Sequence, residues 1–139
     1  MLRIGGYINI IISVGHIVGL LWADKMFEVT GIVKEMVELG QVHLSLPYLL
    51  TIFVAVVFFI FGLYGLSANN KFIELPFLKM AIFLIAGIYL LRGVGELVFD
   101  KIEGTNSVTE TTYSFFALTI GFLFLVGGFK KWPLTIKKV

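Results

Sequence analysis

Four apolar runs, each about 20 residues long, dominate this chain: 4–22, 44–68, 77–99 and 112–129. A helix needs about that length to cross the hydrocarbon core of a bilayer. Inside that core no water is at hand for backbone N–H and C=O groups, so a lone run must be helical. Four such helices joined by short links must close on one another. The expected fold is therefore all-α: one integral-membrane domain over 1–139, built as a four-transmembrane-helix bundle. Composition agrees. The chain is 58 % hydrophobic and 14 % charged, against roughly 45–50 % and about 25 % for a soluble domain. Soluble, disordered and disulfide-stapled classes are excluded on that ground. With no cysteine in the chain, neither a thiolate metal site nor a cysteine nucleophile exists.

The first run follows Arg3 as a signal peptide would. Asn9, Ser13 and His16 interrupt it, however, and Leu21-Trp22-Ala23 is a poor cleavage site, so a retained helix is expected. Orientation follows from the basic residues. Seven of them, Arg3, Lys71, Lys79, Lys130, Lys131, Lys137 and Lys138, fall on one side, and three, Lys25, Lys34 and Lys101, on the other. The acids lean the opposite way, with Glu74 alone among the seven basic residues. Both termini are expected in the cytoplasm, with the protein multi-pass in an inner (cytoplasmic) membrane. Phe129-Lys130-Lys131-Trp132-Pro133, followed by Lys137 and Lys138, reads as an interfacial anchor.

The connections differ in kind. Asn69-Asn70 signals a tight cytoplasmic turn, with Pro76 suited to a helix start. Residues 100–111 form a polar outer loop around Gly104-Thr105-Asn106-Ser107. The first connection is longer, about 20 residues. In it Val29, Ile32, Val33 and Met36 recur at helical spacing, opposite Glu28, Lys34, Glu35 and Glu38. That pattern predicts an additional amphipathic interfacial helix between spans 1 and 2, ending at Gly40. It is either a linker resting on lipid or a lid over a site between the spans. Small residues mark contact faces: Gly15 and Gly19 in span 1, Ala55, Gly62 and Gly65 in span 2, and Ala117, Gly121 and Gly128 in span 4. Packing inside the bundle is their expected use, and a homo-oligomer or membrane partner the alternative.

Charged residues within a span are costly and usually have a partner or a task. Span 3 carries Arg92 and Glu96, four apart on one face, with Tyr89 and Asp100 extending that face. Span 1 carries Asn9, Ser13 and His16 on one stripe. At about 1.5 Å per residue, His16 and Arg92 both lie roughly 10 Å below the outer boundary. Tyr48 and Thr51 of span 2 stand near that level, with His43 at its mouth and Tyr113 and Ser114 a little higher. An outward-facing polar pocket between spans 1 and 3 is expected, centred on His16, Arg92 and Glu96. Three readings of it stay open. The residues bind a lipid, a quinone-like or another small amphipathic molecule; or Glu96 and His16 exchange protons in a small transporter; or Arg92 and Glu96 form a closed ion pair that sets helix register in a structural subunit.

Other chemistries find less support. His16, His43 and Glu96 form the one conceivable metal set, at no motif spacing. A bis-histidine haem would need His16 and His43 at one level, and they are not. No serine has a recognisable base beside it, and no phosphate-binding glycine loop is present. No cofactor, no metal and no nucleic-acid partner are expected; the bilayer is the expected partner. No constellation argues for an enzyme, and that question stays open.

The stretch Gly15-His16-Ile17-Val18-Gly19-Leu20-Leu21-Trp22-Ala23-Asp24-Lys25-Met26-Phe27, followed by three further spans, resembles small four-helix bacterial membrane proteins, DoxX-like in layout. The resemblance covers most of the chain as an architecture and rests on no diagnostic motif. It implies a bacterial inner-membrane location and carries no activity. Span 1 lacks the acidic residue expected of small multidrug-resistance exporters. Span 2 lacks the arginines and histidines of membrane glutathione transferase relatives.

Overall fold

A computed structural model of the protein describes residues 1–68, 73–103 and 108–133. It contains the helices α1 (Leu2–Gly19), α2 (Ala23–Thr30), α3 (Val33–Val42), α4 (Leu46–Ser67), α5 (Leu78–Glu103) and α6 (Val108–Lys131). A 3-10 turn, Leu20–Trp22, joins α1 to α2. Among the described residues, four stretches are long and apolar enough to cross a membrane: Leu2–Thr30, Leu46–Ser67, Leu78–Phe99 and Val108–Lys131. This is the architecture of a multi-pass membrane protein, and the fold class is the expected all-α bundle. The fourth helix starts at Val108 rather than 112, because its polar first turn satisfies backbone hydrogen bonds as well as an apolar one would. The Asn69-Asn70 turn, Lys71, the 104–107 loop, Lys137 and Lys138 lie outside the described residues, as do the side chains of Asp100 and Glu103.

The four long helices form two antiparallel pairs, α1 with α4 and α5 with α6. Glycine sets the separation in each. A Cβ on Gly65 would stand 2.8 Å from the Gly6 Cα, and one on Gly6 would stand 2.9 Å from the Leu66 backbone nitrogen. The two backbones therefore touch, as small residues permit in membranes. In the second pair a Cβ on Gly121 would lie 2.9 Å from Leu90 Cγ, and one on Gly93 2.7 Å from Leu118 Cγ. The small-residue stripes of spans 2 and 4 are thus contact faces.

The stripe expected in span 1 is not. Gly15 faces no atom within 4 Å, and Gly19 makes room for the side chain of Met26 rather than for another helix. The working face of α1 runs through Gly6 and Ser13, and Gly15 stands two residues, about 200°, round the helix from Ser13.

Ile82, Ile85, Ala86 and Tyr89 of α5 meet Ala117, Ile120 and Phe124 of α6 in the core, joined by Leu2 and Ala68. Gly5 leaves space for the Phe124 ring, fully buried between α1 and α6. The start of α1 and the ends of α4 and α6 gather at one end of the bundle, where Lys131 Nζ donates to the Ala68 carbonyl. The buried Ser67 hydroxyl donates to the Ile73 carbonyl (2.6 Å) and accepts from the Leu75 N–H (3.3 Å), tying residues 73–75 to the end of α4.

The connection between the first two spans departs from expectation: two short helices, α2 and α3, replace one. Gly31 adopts φ 76°, the left-handed conformation that glycine reaches without steric cost. Its N–H donates to the Glu28 carbonyl (3.1 Å) and the Ile32 N–H to the Phe27 carbonyl (3.1 Å). That pair of bonds is a Schellman motif, which terminates α2. Gly40 lies inside α3, which runs on to Val42.

Candidate functional site: a cavity between α1, α4 and the α2–α3 connection

Helices α2 and α3 lie against the end of α1 and the start of α4 and border a cavity of about 150 Å³. Its wall is Met26 and Thr30 of α2, Ile32 of the break, Met36 of α3, His16 of α1, and Leu50, Thr51 and Val54 of α4. The connection therefore borders a cavity, the geometry that the lid alternative requires. Ile32 and Met36 turn inward, whereas Val29 and Val33 of the same expected stripe are exposed, because the break at Gly31 reorients everything that follows it. Buried Phe27 and Ala23 seat α2, and Tyr113 of α6 donates to the Val29 carbonyl (3.5 Å). A shallower hollow on the outside of α2, formed by Gly19, Trp22, Lys25, Met26, Val29 and Thr30, shares Met26 and Thr30 with the cavity.

The expected pocket of His16, Arg92 and Glu96 separates into three places. His16 lines the cavity; its Nδ1 lies 2.8 Å from the Ile12 carbonyl, and its ring 5.3 Å from that of Phe58. Thr51 lines it too, and its hydroxyl donates to the Pro47 carbonyl (2.9 Å). Tyr48 is 42 % exposed and not in the wall: on α4 the inward stripe is Pro47, Thr51 and Ala55, and Tyr48 sits a residue off it. His43 is exposed, its Nδ1 accepting from the Ser45 hydroxyl (2.7 Å).

The second place is the buried centre. Asn9 is fully buried; its amide donates to the Gly5 carbonyl (2.8 Å), and its Oδ1 accepts from the Tyr89 hydroxyl (2.5 Å). Ser13 donates to the Ala55 carbonyl (2.7 Å), pinning α1 to α4. The rings of Phe58 and Phe61 flank Tyr89 at 6.4 Å and 6.1 Å. Asn9, Ser13 and Tyr89 thus have partners within the protein and lock the helices together.

The third place is the α5–α6 face. Arg92 and Glu96 pair along α5 at 3.6 Å, with Arg92 62 % exposed. The other Glu96 oxygen accepts from the Ser114 hydroxyl of α6 at 3.2 Å. Neither Arg92 nor Glu96 lines the cavity. The reason is the pairing of helices: α5 packs on α6, and α1 packs on α4. Equal depth on spans 1 and 3 therefore did not mean a shared site. Among the described residues no three His, Asp or Glu side chains converge as metal ligands would.

Sequence reasoning missed Met26, Thr30, Leu50 and Val54 as wall residues. Only Gly31, a helix-stop signal inside an otherwise helical pattern, pointed to a folded lid. Comparison of the chain with family models, with curated proteins and with solved structures finds no match.

Proposed function

We propose that this protein is a membrane-embedded binding protein that holds part of a small amphipathic molecule in the cavity between α1, the α2–α3 lid and α4. The observation that carries this reading is the cavity itself. It is a partly open, largely apolar hollow at the α2–α3 end of the bundle, with a few polar groups converging on it, as small-molecule sites are built. Its volume, about 150 Å³, is that of an engineered apolar cavity that takes up benzene. It therefore accepts one ring or a few methylenes rather than a whole lipid. The proposed site uses His16 and Thr51 of the expected set and leaves Arg92 and Glu96 as an interhelical contact. A proton relay between Glu96 and His16 gains less support, since Glu96 is engaged on α6 and His16 faces the lid.

The excess of Arg and Lys at the end that gathers Arg3, Lys130 and Lys131 favours a cytoplasmic location for both termini. The lid then faces outward from an inner membrane. The exposed apolar side chains of the long helices, among them Ile11, Phe53, Leu84 and Phe122, are read as the lipid-facing surface. The likeness to DoxX-like proteins enters as architecture alone.

Photolabelling tests the reading. The probe is a long-chain alcohol bearing a diazirine, added to the protein in nanodiscs. Labelling of Met26, Met36 and Val54 is expected to saturate with probe, and Val54→Trp, which fills the cavity, is expected to abolish it while lipid-facing positions still label. Labelling that rises linearly at all positions alike overturns the proposal.

A further inference from the structure

We infer that the cavity selects an occupant whose head donates a hydrogen bond, an alcohol or a phenol, and reads it through His16. This rests on the binding reading above and narrows it to a ligand class. Three of the eight wall residues carry polar side chains, His16, Thr30 and Thr51. The Thr51 hydroxyl proton goes to the Pro47 carbonyl at 2.9 Å. The Thr30 hydroxyl proton goes to the carbonyls of Met26 and Phe27, at 2.8 and 3.2 Å. Each hydroxyl has spent its one hydrogen on its own helix and keeps only lone pairs.

His16 reaches the same state by another route. A backbone carbonyl can only accept, so the Nδ1 that lies 2.8 Å from the Ile12 carbonyl carries the ring proton. In the neutral imidazole the other nitrogen is then an acceptor. With Nδ1 turned back to its own helix, Nε2 stands on the far side of the ring. Among the described residues it has no hydrogen-bond partner.

The remaining walls, Met26, Ile32, Met36, Leu50 and Val54, are apolar. The polar side chains of the cavity thus offer acceptors and no free donor. A ketone, ether or ester would place lone pairs against lone pairs. A hydroxyl complements them, and an acceptor left unmet in an apolar site costs more than a bond gains.

The methionines supply the measurement. Met26 and Met36 line the cavity, while Met1 and Met80 are exposed elsewhere and report uptake into the surrounding bilayer. Protein labelled with ¹³C-methyl methionine in nanodiscs is titrated with 4-methylphenol and with 4-fluorotoluene. The two probes are alike in shape, and only the first donates. Concentrations are referred to the amount partitioned into the membrane.

Selective shifts at Met26 and Met36 are expected with both probes, the phenol binding roughly 2- to 10-fold more tightly, the worth of one net hydrogen bond. His16→Phe keeps an aromatic ring beside Phe58 and should shrink that ratio to below about 2-fold. Equal or inverted affinities in the unaltered protein overturn the donor rule and leave the cavity reading intact, whether or not the variant folds. If neither probe moves Met26 and Met36 apart from Met1 and Met80, the cavity reading falls and the donor rule with it.

Discussion

The two ends of this bundle are built on opposite rules. At the end that gathers the start of α1 and the ends of α4 and α6, glycines let backbones touch, and Leu2 and Ala68 are almost wholly buried. At the other end α3 has no buried residue, and only Ala23 and Phe27 of α2 are buried. Between the two levels stands the Asn9–Tyr89 bond. Close packing leaves no space for a ligand, and loose packing over a cavity leaves little stability to lose. If the proposed binding reading holds, shape-keeping and admission of a molecule fall at separate ends.

The sharpest way to break that contrast is at the tight end. Gly65→Leu puts a branched side chain where even a Cβ would lie 2.8 Å from the Gly6 Cα, and a backbone cannot swing aside. A loss of about 3 kcal/mol or more is expected, read as a lowered midpoint of denaturant unfolding in mixed micelles. A loss below about 1 kcal/mol would show that α1 and α4 can separate freely.

Next comes the buried centre. Asn9→Leu strips the Tyr89 hydroxyl of its buried partner and should cost about 2 kcal/mol. Adding Tyr89→Phe removes the orphan and should recover most of that loss. A double variant no more stable than Asn9→Leu would mean that the amide matters through its Gly5 bond instead.

At the loose end the effects shrink. Gly31→Ala forces a Cβ into the left-handed region at a cost of about 1 kcal/mol. Amide exchange should quicken across α2 and α3 and stay unchanged in the α1–α4 seam. Uniform quickening would mean that the lid is part of one cooperative unit with the bundle. Glu96→Gln should be the mildest. Its Arg92 partner is 62 % exposed, so solvent screening keeps the pair below about 1 kcal/mol, and the amide can still accept from Ser114. Ligand shifts at Met26 and Met36 should be unaltered by Glu96→Gln; their loss would return Glu96 to the site.

The legible parts of the molecule were those that depend on neighbours in sequence. Gly62 and Gly65 share a stripe wherever α4 packs, and Arg92 and Glu96 pair because they are four apart on one helix. Gly31 carried a stop signal that went unread, because the apolar spacing of Val29, Ile32, Val33 and Met36 spoke for one continuous helix. Gly15 and Gly19 had the right spacing and the wrong face. His16 and Arg92 had matching depth and different neighbours.

What the sequence determined by itself was the set of crossing helices, because spanning a bilayer is a property of about 20 consecutive residues and requires no knowledge of the rest of the chain. It also marked the polar residues of the spans, though not which of them would be buried: Asn9 is, and Arg92 is not. The tertiary structure alone decided who met whom: α1 with α4, α5 with α6, Asn9 with Tyr89, and a folded lid over His16. Spacing along a helix sets the angle between side chains but not the direction of the face they share. That direction is chosen by which backbones can approach most closely, and the glycines that allow it lie far apart in the chain.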